Sequence, residues 1–192
     1  MKQLVLAFLL LLPAAALAQD VAIAERREAD GTMTLVHEVV VPAAQAEVWT
    51  AISTPEGWRT WAVPAAWLVD GDTLETSYTP TASPGDPSTI RQHLTAILPG
   101  RTLVFRTTKA PDGFPHFETF RRVTHFFELE PAGEGRTRAR LTGVGYAGTD
   151  AGRQLAAFFR DGNRVSLERL RARFVGGPLD WPAILAAERT AR

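Results

Sequence analysis

"AEVWTAISTPEGWRTWAVP", residues 46–64, decides how this chain is read, and it holds three of its five tryptophans, Trp49, Trp58 and Trp61. Residues Ala43 to Ser53 have the spacing of a short helix, with Val48, Trp49 and Ile52 on one stripe. Thr54-Pro55-Glu56 then restarts the chain. Thr54 can cap, Pro55 suits a first helical position, and Glu56 suits the positive end of the helix dipole. The second helix is brief, Glu56 to Trp61, and ends near Pro64. Trp58 and Trp61 are three apart and share one side of it. Trp49 reads as an anchor for a helix too short to stand alone. Trp58 and Trp61 read either as core or as the mouth of an internal cavity.

Outward from this stretch the signals are those of strands. Thr32 to Val41 precedes it, with Leu35, His37, Val39 and Val41 on one face and Val36, Glu38 and Val40 on the other. After it, Ala66 to Val69 and Thr73 to Thr79 flank the turn Asp70-Gly71-Asp72. Thr89 to Leu98 and Thr102 to Thr107 flank Pro99-Gly100. Glu118 to Leu129 reads as one long strand, followed by Thr137 to Tyr146. Hairpin connections make the sheet antiparallel. The last large element, Asp150 to Val175, is a long amphipathic helix with Leu155, Phe158, Phe159, Gly162, Val165, Ser166, Leu170 and Phe174 on its apolar side. Gly176-Gly177-Pro178 stops it, and Asp180 can cap a small helix in the tail.

The expected architecture is α+β. A curved antiparallel sheet of about six to seven strands wraps on one long C-terminal helix, with two short helices after the first strand. A helix laid on a strongly curved sheet cannot fill the whole concavity. The space between them is the expected cavity, and the two short helices plug one end.

Residues 1–18 are expected to be a secretory signal peptide: Lys2, an apolar run from Leu4 to Leu12, then Ala16-Leu17-Ala18. Residues 19–31 read as a flexible lead-in, 32–175 as the folded domain, and 176–192 as a tail. The chain has no cysteine, so it has neither disulfides nor a thiol nucleophile. Its formal net charge is zero. That balance argues against nucleic-acid binding and against a polybasic membrane surface. The expected location is the periplasm, with no stable membrane anchor after cleavage.

Three stretches carry a family resemblance: "VVVPAAQAEVWTAISTPEGWRTW" (39–61), "FFELEPAGEGRTRARLTGVGY" (126–146) and "GNRVSLERLRARF" (162–174). In this order they resemble the SRPBCC (START-like, birch-pollen-allergen-like) superfamily. Within it they resemble the branch of activators of the ninety-kilodalton heat-shock protein ATPase. The resemblance implies the helix-grip fold. The superfamily includes lipid and sterol carriers, hormone receptors, polyketide cyclases, dioxygenase subunits and co-chaperones. Export is unusual for this branch, and its ATPase is cytosolic, which argues against a co-chaperone role here.

The candidate ligand-binding residues are Trp58, Trp61, Phe105, Phe127, Phe159 and Gly162 for the walls, with His93 and His125 as polar handles. His125 shares its parity with Val123, Phe127 and Leu129, a largely apolar series. Each polar residue also has a plainer reading as an outer strand face or a satisfied core group. The histidines have no metal-ligand spacing, and no G-x-S-x-G elbow is present. No cofactor is expected. The primary reading is a binding protein, monomeric or weakly dimeric, for a small hydrophobic or amphipathic molecule in a pocket of about 300–1,000 Å³. The alternatives are a cyclase- or isomerase-type enzyme using a cavity His or carboxylate, and a protein-interaction module.

Overall fold

The computed structural model describes residues 21–190, so the leader expected over residues 1–18 and the last two residues of the tail lie outside the described residues. β1 (Ala22–Arg27) and β2 (Met33–Val41) come first, then α1 (Gln45–Ser53) and α2 (Pro55–Trp58). β3 (Ala65–Val69), β4 (Thr73–Ser77), β5 (Ile90–Leu98) and β6 (Thr102–Lys109) follow. α3 (Phe117–Phe120) leads into β7 (Thr124–Pro131) and β8 (Thr137–Tyr146), and α4 (Asp150–Gly176) and α5 (Trp181–Thr190) complete the order. All strands join one antiparallel sheet, β1-β2-β8-β7-β6-β5-β4-β3. The α+β helix-grip expectation holds, with eight strands rather than six or seven.

The extra strand comes from the stretch expected to be loose. Residues 22–27 pair with β2 from Ala22 opposite Glu38 to Arg27 opposite Met33. Without β1, the ladder of β2 would present an unpaired edge. The charged residues that argued for a lead-in, Glu25, Arg26 and Arg27, instead suit a strand whose side chains face solvent. A second difference lies at Glu118 to Leu129, where one strand was expected. Phe114, Phe117 and Phe120 recur at threes, and α3 forms there before β7 begins. His116 enters it in the left-handed region, φ 56°. The Phe120 ring stacks on Phe159 of α4 with centroids 4.3 Å apart.

The short helices are held by what the sequence put beside them. Thr54 Oγ1 accepts the Gly57 N–H at 3.0 Å, with Pro55 at the first position of α2. Trp58 Nε1 donates to the Ile52 carbonyl at 2.6 Å, and Trp61 Nε1 to the Ala51 carbonyl at 2.9 Å. These carbonyls belong to the last turn of α1, which leaves such groups without helical partners. The two indoles therefore complete α1 and fasten α2 to it. Trp49 packs against the main core as an anchor. Arg59 Nη1 reaches back from the end of α2 to the Ala66 carbonyl of edge strand β3 at 3.3 Å.

α4 crosses the sheet on the side of β2 and β8. The Nε2–H of His37, a buried residue of β2, donates to the Arg160 carbonyl in mid-helix at 2.9 Å. Leu155, Ala156, Leu167 and Leu170 form the buried stripe of α4, so the helix is turned by about one position from the expected face, and Phe158 lies 60% exposed. Thr149 Oγ1 caps its start at 3.2 Å, and Gly177 at φ +92° ends it. In β5 the register shifts between Arg91 and Gln92 and again between Leu94 and Ala96. Such irregularities bend a strand and deepen the concavity. The tail helix α5 is capped by Asp180, whose Oδ1 accepts the Ala183 N–H at 3.1 Å. Trp181 Nε1 ties it to the Arg59 carbonyl at 2.6 Å.

Two glycines have opposite surroundings. A Cβ on Gly57 would lie 2.3 Å from the Thr50 carbonyl oxygen and 2.6 Å from Ala51 Cα, both backbone. A Cβ on Gly162, inside α4, would meet nothing within 4 Å. Gly57→Ala is expected to destabilise the protein by about 1–3 kcal/mol. Gly162→Ala is expected to stabilise it by about 0.5–1 kcal/mol through helix propensity. Urea unfolding of the two variants beside the parent measures both signs.

Candidate ligand site

The walls of the site come from four parts of the fold. β6 and β7 supply Phe105 and Phe127, which alternation turns inward. The end of α2 and the residues after it supply Trp58, Trp61 and Val63. β8 supplies Leu141, and α4 supplies Phe159 and Asn163. Between them lies a cavity of about 160 Å³. This is smaller than the expected pocket. It shares Tyr78 and Ser166 with an open groove of about 350 Å³ along α4, lined also by Phe158, Val165 and Arg169. Tyr78 and Ser166 thus mark the mouth.

Besides Tyr78 and Ser166 at the mouth, three polar side chains stand among these walls: Gln92 of β5, His125 of β7 and Asn163 of α4. Each has a buried polar atom without a hydrogen-bond partner, namely Gln92 Oε1, His125 Nδ1 and Asn163 Nδ2. His125 is 4% exposed and Asn163 8%. The His125 ring stacks on Phe105, with centroids 5.1 Å apart and planes 11° apart. Phe120 and Phe159 present their faces or edges to it at 5.7 and 6.3 Å. Burial pushes the imidazole down to about 4, so it is neutral near pH 7. Behind Phe159, Tyr146 is fully buried and its hydroxyl has no partner. Burial raises its phenol above the ordinary range. Its ring lies over Gly143, where a Cβ would come within 2.8 Å of the hydroxyl oxygen.

A buried carboxylate holds the loop beside the mouth. Glu75 of β4 accepts from the Gly85 N–H at 2.7 Å and from Arg91 Nε at 3.1 Å. Burial alone would raise its carboxyl. Hydrogen bonds from Thr89, Gly85 and Arg91 offset that and hold it below the ordinary carboxylate value. Lys109 Nζ adds contacts to the Asp86 carbonyl and to Thr89 Oγ1.

Of the residues expected at the site, Trp58, Trp61, Phe105, Phe127, Phe159 and His125 meet around the cavity. His93 does not. In β5 it is Gln92 and Leu94 that turn inward, toward Leu74, Leu103 and Phe105, because Leu94 gains more from burial than His93. His93 faces outward, 3.6 Å from Asp72, on an open cleft of about 520 Å³ with Arg106, Arg121 and Arg122. That cleft is open and lined by charged and polar side chains; the internal cavity has mostly aromatic and aliphatic walls and unpartnered buried polar atoms and is the better candidate ligand site. Gly162 is also not a cavity wall. It lines the outer groove, because the helix presents Phe159 and Asn163 inward. Gln92 and Asn163 were missed. The signal for Asn163 was its spacing, four from Phe159 and four from Leu167 on the buried stripe. Among the described residues no group of three or more His, Asp or Glu could hold a metal ion.

Comparison with known proteins agrees with this architecture. A family model described as polyketide cyclase / dehydrase and lipid transport matches residues 32–175. The chain belongs to that family. The family and the cavity together fit a ligand-binding domain with an SRPBCC-type fold. The fold is similar to that of the Aha1 dimer from Colwellia psychrerythraea, at 20% identity over 75% of this chain and 97% of that one, with a TM-score of 0.57. CalU16 from Micromonospora echinospora is similar at 17% identity over 90% and 93% of the two chains, TM-score 0.55. XoxI from Bacillus cereus is similar at 17% identity over 74% and 96%, TM-score 0.58. No curated protein matches the sequence. At these identities the solved structures speak for the fold alone.

The neutral, buried His125 makes stability depend on pH. In the unfolded chain this imidazole takes a proton near its ordinary value of about 6.5, and in the fold only near about 4. The unfolded state therefore binds more protons in that window. The stabilisation is complete above the upper value and is lost as pH falls toward the lower one, by on the order of 3 kcal/mol. Urea midpoints at neutral pH and near pH 4.5 measure the loss. His125→Leu should shrink it clearly; an unchanged pH slope in that variant contradicts the assignment.

Proposed function

We propose that this protein is an exported carrier that holds a small amphipathic molecule between its sheet and α4. The observation that carries the reading is the internal cavity: aromatic and aliphatic walls with three uncharged polar side chains, each keeping an unpartnered buried atom. A solely structural interior of this size would be closed by larger side chains, and buried polar atoms without partners are costly. The walls suit the apolar body of a ligand, and the amides and imidazole suit a polar substituent. The open groove beyond Tyr78 and Ser166 gives the molecule a way in. The family's description, which includes lipid transport, supports carriage. The leader-like order of residues 1–18 supports export.

Carriage is favoured over acid–base chemistry by one feature. The His125 Nδ1 and the Tyr146 hydroxyl are both buried and both lack a hydrogen-bond partner, so they do not form a proton-transfer pair. A role through the tail is not favoured either, since Trp181 of α5 is buried against the body of the fold.

The test is binding of N-phenyl-naphthylamine, an uncharged apolar dye, to protein purified from a periplasmic fraction. Its fluorescence is expected to rise on binding. Ala62, between Trp61 and Val63, also lines the cavity, and Ala62→Leu, which extends it into the space, is expected to weaken the dye about tenfold or more while the folded spectrum is kept. Native mass spectrometry of the same material looks for a co-purifying small molecule. Equal dye binding by parent and Ala62→Leu removes the cavity from the proposal. Recovery of the uncleaved chain in the cytoplasm removes export.

A further inference from the structure

The lining of the cavity carries information about charge. Its polar members are two primary amides, Gln92 and Asn163, one imidazole, His125, and the hydroxyls of Tyr78 and Ser166 at the mouth. Among the described residues, no lysine, arginine, aspartate or glutamate lines it. The charged groups nearest along the ligand path, Asp161 and Arg169, line the outer groove, and they are of opposite sign. Glu75 is buried near the mouth but is already engaged by Arg91 and the Gly85 N–H. A carboxylate or ammonium brought into this space would leave water without meeting a counter-ion. That penalty is several kcal/mol per ion even after relaxation. A neutral donor–acceptor group meets the opposite situation. The amides and the imidazole each both donate and accept, and each has a buried atom still unpartnered.

The size of the cavity adds a second constraint. Its volume is about 160 Å³. An apolar cavity of roughly 150 Å³ takes one benzene molecule. The walls also have ring-shaped faces: Trp61 stands edge-on to Phe127 at 6.3 Å and 84°. Substituents longer than one ring have room only through the Tyr78–Ser166 mouth, in the groove beside Phe158 and Val165.

Resting on the carrier reading above, we infer that the cavity takes an uncharged single-ring head bearing a hydrogen-bonding substituent, and excludes carboxylates and ammonium ions of the same shape. The amide and imidazole side chains recognise the substituent, and the aromatic walls take the ring. Anything attached beyond the ring extends into the groove. The selectivity is set by the composition of the walls.

Four probes of nearly one shape separate the terms: benzamide, toluene, benzoate and benzylamine, titrated at pH 7 into the chain purified without its leader and followed by calorimetry. Benzamide is expected to bind about tenfold or more tighter than toluene, because it satisfies groups toluene leaves unpaired. Benzoate and benzylamine are expected about a hundredfold or more weaker than benzamide. Asn163→Leu should erase the preference of benzamide over toluene, and Asn163→Asp should draw benzylamine in. The probe series on the parent stands even if neither variant folds. Benzoate or benzylamine within tenfold of benzamide overturns the charge selection. Toluene equal to benzamide overturns the role of the amides and imidazole. If the naphthylamine dye binds and none of the four probes does, the single-ring head is wrong and the carrier reading stands. If the dye fails as well, both fall together.

Discussion

The His37 Nε2–H donates to the Arg160 carbonyl at 2.9 Å and fixes where α4, the longest helix among the described residues, sits. It draws α4 toward β2 and β8, near the β1 end of the sheet. The concave face of β5, β6 and β7 is then left for other parts of the chain to cover. A hydrogen bond from a buried imidazole to a mid-helix carbonyl is directional, and a buried polar group that lost it would be left unsatisfied. Burial lowers the His37 imidazole, the largest influence on it, so it stays in the neutral form that makes this single donation. The remaining concavity is where the fold has its cavity.

The tryptophans then answer the question their density poses. α1 ends with carbonyls that need donors, and α2 must pack close to it. The indoles of Trp58 and Trp61 satisfy those carbonyls with their N–H groups and turn their rings toward the sheet. Gly57 allows the approach, since any side chain there would meet the α1 backbone. One set of residues thus closes a helix end, joins two helices and walls the internal cavity. The aromatic bulk is spent on a boundary as much as on a core, and this is why it sits in helices too short to be stable alone.

Most of the fold was legible because it rests on local chemistry. The caps at Thr54, Pro55 and Asp180, the turn at Asp70-Gly71, and the stop at Gly177 are all decided within a few residues. The errors arose where distant contacts decide. β1 is a strand only because β2 needs a partner on that edge. Alternation in β5 shows which residues share a face; packing on Phe105 and Leu74 shows which face is inside. That is how His93 was placed wrongly and Gln92 overlooked. His125 was placed correctly because its neighbours on the same face, Val123, Phe127 and Leu129, are all strongly apolar. Asn163 lay on the buried helix stripe, but a lone amide among larger residues is easily passed over without the sheet opposite it.

The two ends of the sheet are unlike. β1 carries Glu25, Arg26 and Arg27, and charge of this kind discourages a second chain from adding its own strand. β3, Ala-Ala-Trp-Leu-Val, has none, and its Leu68 is 51% exposed. What guards it is its shortness and the Arg59 guanidinium resting on the Ala66 carbonyl. Besides its shortness, that edge is therefore guarded by a single cation at the end of a four-residue helix. Conditions that loosen α2 would expose a sticky ribbon of backbone there before they melted the core.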